Sequence, residues 1–249
     1  EVEALPFEDW GSYLLRLGFD RTQLRYVARS QANACGEAMR LLSARAMLET
    51  IRERAQECGL GDYRLLSGYD SLVAGLAEGL QLRLADPASR VLWDASGVEV
   101  QTLRGLSYQA DAAVLSLPLG VLQAGGVRFE PDLPETKRAA LGGLRMGPVI
   151  KLVYRFAEPI TEPHVMALYS RLNPPMWWSP SVGQASEQTV WSAFVSGDGA
   201  SALLALGEAA ALEAGLAALR EELGRPELQA EAARLVNWPD DPYSRGGYS

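Results

Sequence analysis

The chain has 249 residues, is 48% apolar and 22% charged, and carries a net charge of −8 from 23 basic and 31 acidic side chains. This is the composition of a globular protein with a sizeable core, built as one large domain or two modest ones. The acidic balance argues against a duplex nucleic-acid binder, which needs clustered Lys and Arg, and no apolar run approaches the roughly 20 residues of a membrane span.

Residues 1 to about 60 read as helices. Leu41, Ala44, Met47, Leu48, Ile51, Ala55 and Cys58 recur at helical spacing, and Gly59 and Gly61 are expected to stop that helix. A short helical pattern follows in 65–80, with Leu72, Leu76 and Leu80. From 82 to 117 the period falls to two: a strand, a turn at Ser96-Gly97, a second strand with Val98, Val100 and Thr102 alternating, and a third that becomes wholly apolar at 112–117. Short loops join these three into an antiparallel meander. A short helix is expected near Pro134, and "VIKLVYRF" (149–156) is a strong strand. Residues 157–187 read as loop, "TVWSAFV" (189–195) as a strand, the next stretch as one long helix with Leu212, Leu216, Leu219 and Leu223 on a stripe, and "AARLVNW" as a last strand. Strands and helices come in runs, which predicts α+β with a mixed, largely antiparallel sheet flanked by helices. The expected organisation is a helical part at 1–64, a second region at 65–148 holding the meander, and a sheet part at 149–249.

Two cysteines, Cys35 and Cys58, and the single His164 fit no zinc spacing and complete no common metal set, so no metal site is expected. The cysteine usage fits a reducing compartment, here the cytoplasm. Gly197-x-Gly199-x-x-Ala202 follows a strand and opens a helix, as a dinucleotide-binding turn does. Asp198 would set a carboxylate beside the pyrophosphate, and the acidic residue due about 20 positions on falls inside a helical pattern. A polar cap by Asp198 or Ser201 is the preferred reading.

Three segments carry a resemblance. "SLPLGVLQAGGVRFEPDLPETKRAAL" (116–141), "MGPVIKLVYRF" (146–156) and "NWPDDPYSRGGYS" (237–249) are similar, in order and separation, to segments of the flavin-containing amine oxidases, the family of polyamine oxidases, monoamine oxidases and flavin histone demethylases. Weaker similarity at "RLLSGYDSLVAGLAEGL" extends it across most of the chain. The resemblance implies the middle of such an enzyme: the substrate domain, with the meander as the inserted part of the FAD domain. The family's opening Gly-rich pyrophosphate turn and its closing flavin segment have no counterpart here.

The resemblance also implies roles. By alternation, Val149, Lys151, Val153 and Arg155 share a face, which alone reads as solvated; the resemblance instead makes Lys151 the active-site lysine that holds a water near flavin N5 and takes part in proton traffic. Tyr248 matches the aromatic in front of the flavin, and Trp238 and Tyr243 a second wall. Gly247 stands where covalent monoamine oxidases carry Cys, so FAD would bind non-covalently. Ser116, Leu117 and Pro118 match a segment whose backbone runs along the cofactor, and Ala88 stands where a valine meets the adenine. Trp177 and Trp178 read either as a substrate funnel or as a packed loop, and Arg245 as a structural anchor. The implied reaction moves a hydride equivalent from the carbon next to a small-molecule amine onto the flavin, with imine hydrolysis and reoxidation by oxygen to peroxide. The alternative is a non-catalytic remnant serving as a binding domain. Without the pyrophosphate turn, tight FAD binding by this chain is not expected, and exposed apolar surface predicts self-association or a mobile 238–249 tail.

Overall fold

A computed structural model describes residues 2–56, 65, 67–180 and 189–248. The helices are α1 (Trp10–Arg16), α2 (Arg21–Val27), α3 (Ala44–Gln56), α4 (Tyr69–Ala77), α5 (Leu119–Gln123), α6 (Glu135–Gly143), α7 (Gly197–Leu204) and α8 (Glu208–Leu223). The strands are β1 (Ala88–Asp94), β2 (Gly97–Thr102), β3 (Ser107–Ala110), β4 (Arg128–Glu130), β5 (Val149–Phe156), β6 (Ala167–Tyr169), β7 (Met176–Trp178), β8 (Thr189–Ser196) and β9 (Ala232–Asn237). The chain divides into two units: one of Glu1–Gly59, Met146–Asp241 and Arg245–Ser249, the other of Leu60–Arg145 and Pro242–Ser244.

The first unit is organised by a five-stranded sheet in the order β6-β7-β8-β5-β9, with all four neighbouring pairs antiparallel. Strict alternation in β5 sends Ile150, Leu152, Tyr154 and Phe156 into the main core, where Trp177, Trp191, Val195, Leu203 and Leu219 join them. The leucine stripe of α8 lands there as expected: Leu216 and Leu219 are buried, and Leu212 and Leu223 pack against them. The close approach needs Gly215, where a Cβ would sit 2.4 Å from the Tyr154 hydroxyl and 2.5 Å from Leu152 Cδ1. Tyr154 donates from that hydroxyl to the Leu212 carbonyl at 2.7 Å, and burial pushes its phenol pKa far above the ordinary value. A second core joins α1, α2 and α3 through Trp10, Tyr13, Leu14, Val27, Ala44 and Met47. Both α1 and α2 start on aspartate caps, Asp9 and Asp20, the latter in a full capping box with Gln23.

The second unit holds a four-stranded sheet in the order β3-β2-β1-β4. The meander β1-β2-β3 is antiparallel, as its alternation predicts, and β4 adds in parallel to β1. Arg90 of β1 and Glu130 of β4 form an ion pair across that parallel edge.

Four expectations are corrected. The stretch 157–187 contains β6 and β7, three residues each and too short to announce themselves by period. The single long helix is two, α7 and α8, because Gly207 at φ +81° caps the start of α8 in a conformation that side chains resist. The apolar run 112–117 is no strand: β3 ends at Ala110, and 112–117 pair with no strand among the described residues. A wholly apolar strand suits a sheet covered on both faces, and here Val114 stands exposed. Finally, α7 is capped by neither Asp198 nor Ser201. Its N-cap is Ser196, which makes no side-chain cap; its hydroxyl donates instead to the Asn33 carbonyl at 2.8 Å. The predicted stop at Gly59 and Gly61 lies outside the described residues.

Candidate active site

Lys151 is the third residue of β5, on the face opposite the main core. Residues directly opposite in an antiparallel ladder share a face. The register therefore puts Val236 of β9, Lys151, Phe194 of β8 and Met176 of β7 in one row. Trp178 stands one step along, opposite Ser192. The Lys151 ammonium lies 5.4 Å from the centre of the Trp178 ring, a distance at which the ring's electron-rich face attracts a cation. Trp178 and Phe194 are tilted against each other with ring centres 6.3 Å apart. Lys151 is half-buried, held in a patch of aromatic and thioether surface. The two readings of the Trp pair divide between the residues: Trp177 is fully buried in the core, and Trp178 belongs to the lysine's face.

The closing segment returns beside the start of β5. Gly247 donates its N–H to the Gly147 carbonyl, and Gly147 donates to the Tyr248 carbonyl, both at 3.0 Å. The loop between β9 and this return is tied at Trp238, whose carbonyl accepts from Gly246 at 3.0 Å and from Asp241 at 3.3 Å. A Cβ at Gly247 would sit 2.4 Å from Val149 Cγ2, so this backbone stands where no side chain fits. Tyr248 donates its hydroxyl to the Ala34 carbonyl at 2.6 Å. Its ring lies flush on Gly36, where a Cβ would come within 2.8 Å of Cε2 and φ is +81°. Partial burial, with a smaller effect from Cys35, raises the Tyr248 phenol pKa, so the ring stays neutral at neutral pH. One edge is anchored and 41% of the residue remains exposed.

Sequence reasoning missed Asn33. Its side chain accepts from the Ser196 N–H at 2.9 Å and donates to the Phe194 carbonyl at 3.2 Å. This buried node ties the helical segment to the strand that carries Phe194. A cleft of about 500 Å³ opens beside it, lined in part by Glu37, Arg40, Ser196 and Asp198. Arg40 and Asp198 pair side by side at its mouth. Asp198 is thereby engaged by a cation, and β9, the strand that follows α7 and α8, pairs with β5 and not with β8, so Gly197–Ala202 does not open a βαβ unit of adjacent parallel strands. An asparagine in a helical run gives no sequence signal, because its partners lie more than 160 residues away.

The other predicted residues belong to the second unit. Ala88 begins β1 opposite Thr102, beside a bulge. Ser116 is exposed and Leu117 half-buried. Pro118 caps α5, its carbonyl accepting from Val121 at 3.0 Å and from Leu122 at 3.2 Å. Tyr243 is exposed. Residues 112–117 take part in no ladder among the described residues. In the first unit, Gly247 offers no side chain that could bond a flavin covalently. No group of three or more potential metal ligands occurs among the described residues, and none of their helices is long and apolar enough to cross a membrane.

The two mixed α+β units match the fold of solved putrescine oxidases, which sets the class as an amine-oxidase-like fold. The chain belongs to the flavin containing amine oxidoreductase family, whose model matches residues 1–249. It is 27% identical over 230 residues to lysine-specific histone demethylase 1B of Mus musculus, covering 87% of this chain and 27% of that protein. It is 29% identical over 188 residues to polyamine oxidase 4 of Oryza sativa subsp. japonica, covering 74% of this chain and 38% of that protein. Among solved structures, wild-type putrescine oxidase bound to putrescine superimposes with a TM-score of 0.81 at 17% identity, over 98% of this chain and 56% of that one. The chain thus spans between about a quarter and two fifths of the length of these two curated relatives.

Proposed function

We propose that this chain supplies the amine-facing part of an FAD-dependent amine oxidase. The observation that carries the reading is Lys151 set on the aromatic face of Trp178 and Phe194, within a chain that the family spans from end to end. FAD, when bound, would supply the two-electron chemistry, taking a hydride equivalent at N5 from the carbon next to the amine and passing the electrons to oxygen to give peroxide. Lys151 holds a water and moves a proton at its ammonium. Trp178, Phe194 and Tyr248 form aromatic walls that position an amine and exclude water. Trp238 and Tyr243 support that wall, and Gly247 leaves the flavin unbonded. Ala88, Ser116, Leu117 and Pro118 line the cofactor with main chain and small side chains. A polyamine oxidase among the relatives and a putrescine-bound structure among the neighbours support a di- or polyamine substrate. The test is a peroxide assay on the purified chain with excess FAD and a panel of mono-, di- and polyamines. Amine-dependent peroxide is the expected result; its absence across the panel favours the non-catalytic binding domain instead.

A further inference from the structure

A second cleft in the first unit, about 690 Å³, has the opposite chemistry to an amine site. Arg25, Arg29 and Arg171 line it together with Tyr26, Tyr169 and Ser30, and no carboxylate among the described residues lines it. None of the three guanidinium groups is ion-paired among the described residues, although nine other arginines there are. Two carboxylates are engaged at its edge: Glu222 accepts from the Ser170 hydroxyl at 2.7 Å, and Asp20, the α2 cap, accepts from the Thr22 N–H at 2.7 Å. In a chain of net charge −8, three unneutralised cations in one concavity repel an ammonium substrate and attract an anion. Both tyrosines stand largely exposed with ring faces free to stack. The backbone adds an independent mark: Ala28–Ala32, carrying Arg29 and Ser30, is a π-helical turn, a rare local form that is frequent at functional sites.

We infer that this cleft binds a phosphate-bearing aromatic ligand of the mononucleotide kind. The phosphate sits on the arginines, whose planar forks pair two oxygens at once, and the base stacks on Tyr26 or Tyr169. The volume lies within the range of small-molecule sites. The inference is independent of the amine-oxidase reading, because it uses neither Lys151 nor the flavin.

The experiment is titration calorimetry on the full chain at fixed ionic strength with AMP, adenosine, inorganic phosphate and a glutamate-rich peptide, with hydrogen exchange followed in parallel. AMP is expected to bind about tenfold more tightly than phosphate or adenosine alone, reflecting one stacked base. It should protect 22–30 and 169–171 from exchange. Arg25→Glu with Arg171→Glu should weaken AMP at least about tenfold with an unchanged melting temperature, and Tyr26→Ala with Tyr169→Ala should erase the advantage of AMP over phosphate. The inference is overturned by no AMP binding, by equal affinity for AMP and phosphate, by tighter binding of the peptide, or by unchanged affinity in the charge-reversed variant. The exchange footprint on the unaltered chain decides the matter if that variant does not fold: protection absent from 22–30 and 169–171 overturns it.

Discussion

Gly247 shows how much one missing Cβ can decide. Any side chain there meets Val149, which is buried. Gly247→Cys is therefore predicted to destabilise the protein by about 1–3 kcal/mol, the usual cost of overpacking. Adding Val149→Ala should recover part of the loss; a Gly247→Cys chain as stable as the parent in denaturant unfolding would show that the backbone yields. Glu8 makes the other residue-scale prediction. It accepts from the Leu5 N–H at 2.9 Å and pairs with Arg16 at 2.7 Å. Chiefly through the hydrogen bond from Arg16, its pKa is lowered from 4.5 to about 2. A lowered acid stabilises the fold above its unfolded pKa and loses that contribution as pH falls through the folded value. The melting-temperature gap between the parent and Glu8→Gln should thus be present at pH 6 and shrink steadily between about pH 5 and 2. A gap that is constant over that window would remove Glu8 from the account.

At the scale of elements, β5 and α8 form one packed pair, and Gly215 sets their spacing. Gly215→Ala should cost about 1–3 kcal/mol despite its gain in helix propensity, because the new methyl group meets the Tyr154 hydroxyl and Leu152. Equal or greater stability by chemical denaturation would mean that the helix can lift without loss. Both elements were legible in the sequence, since β5 alternates over eight residues and α8 keeps a leucine stripe over about three turns. Elements of three residues were not, because β6 and β7 are held by their neighbours in the sheet rather than by any period of their own. The failed strand at 112–117 has the same lesson reversed: its composition suits burial between layers, and this chain provides no partner strand for it among the described residues. Lys151 was found by resemblance, its alternation alone indicating a solvated face. Asn33 and the arginine cleft were hidden because their partners come together only through the fold.

At the scale of the molecule, the second unit carries an apolar helix, α4, with no buried residue; Leu72, Val73 and Leu76 are exposed on it, and Leu80 and Leu84 beyond it. Contiguous apolar surface of this kind favours association, and we propose that the chain self-associates. Sedimentation velocity should show mass rising with concentration, and Leu72→Lys with Leu76→Lys should suppress it; a strictly monomeric parent would contradict the proposal. The central claim, that the face around Lys151 serves amine oxidation, is tested most directly by Lys151→Met in the peroxide assay with excess FAD. Amine-dependent peroxide formation should fall about 100-fold or more, the usual share of a positioned proton-transfer group, with melting temperature unchanged. A rate equal to that of the parent would contradict the claim.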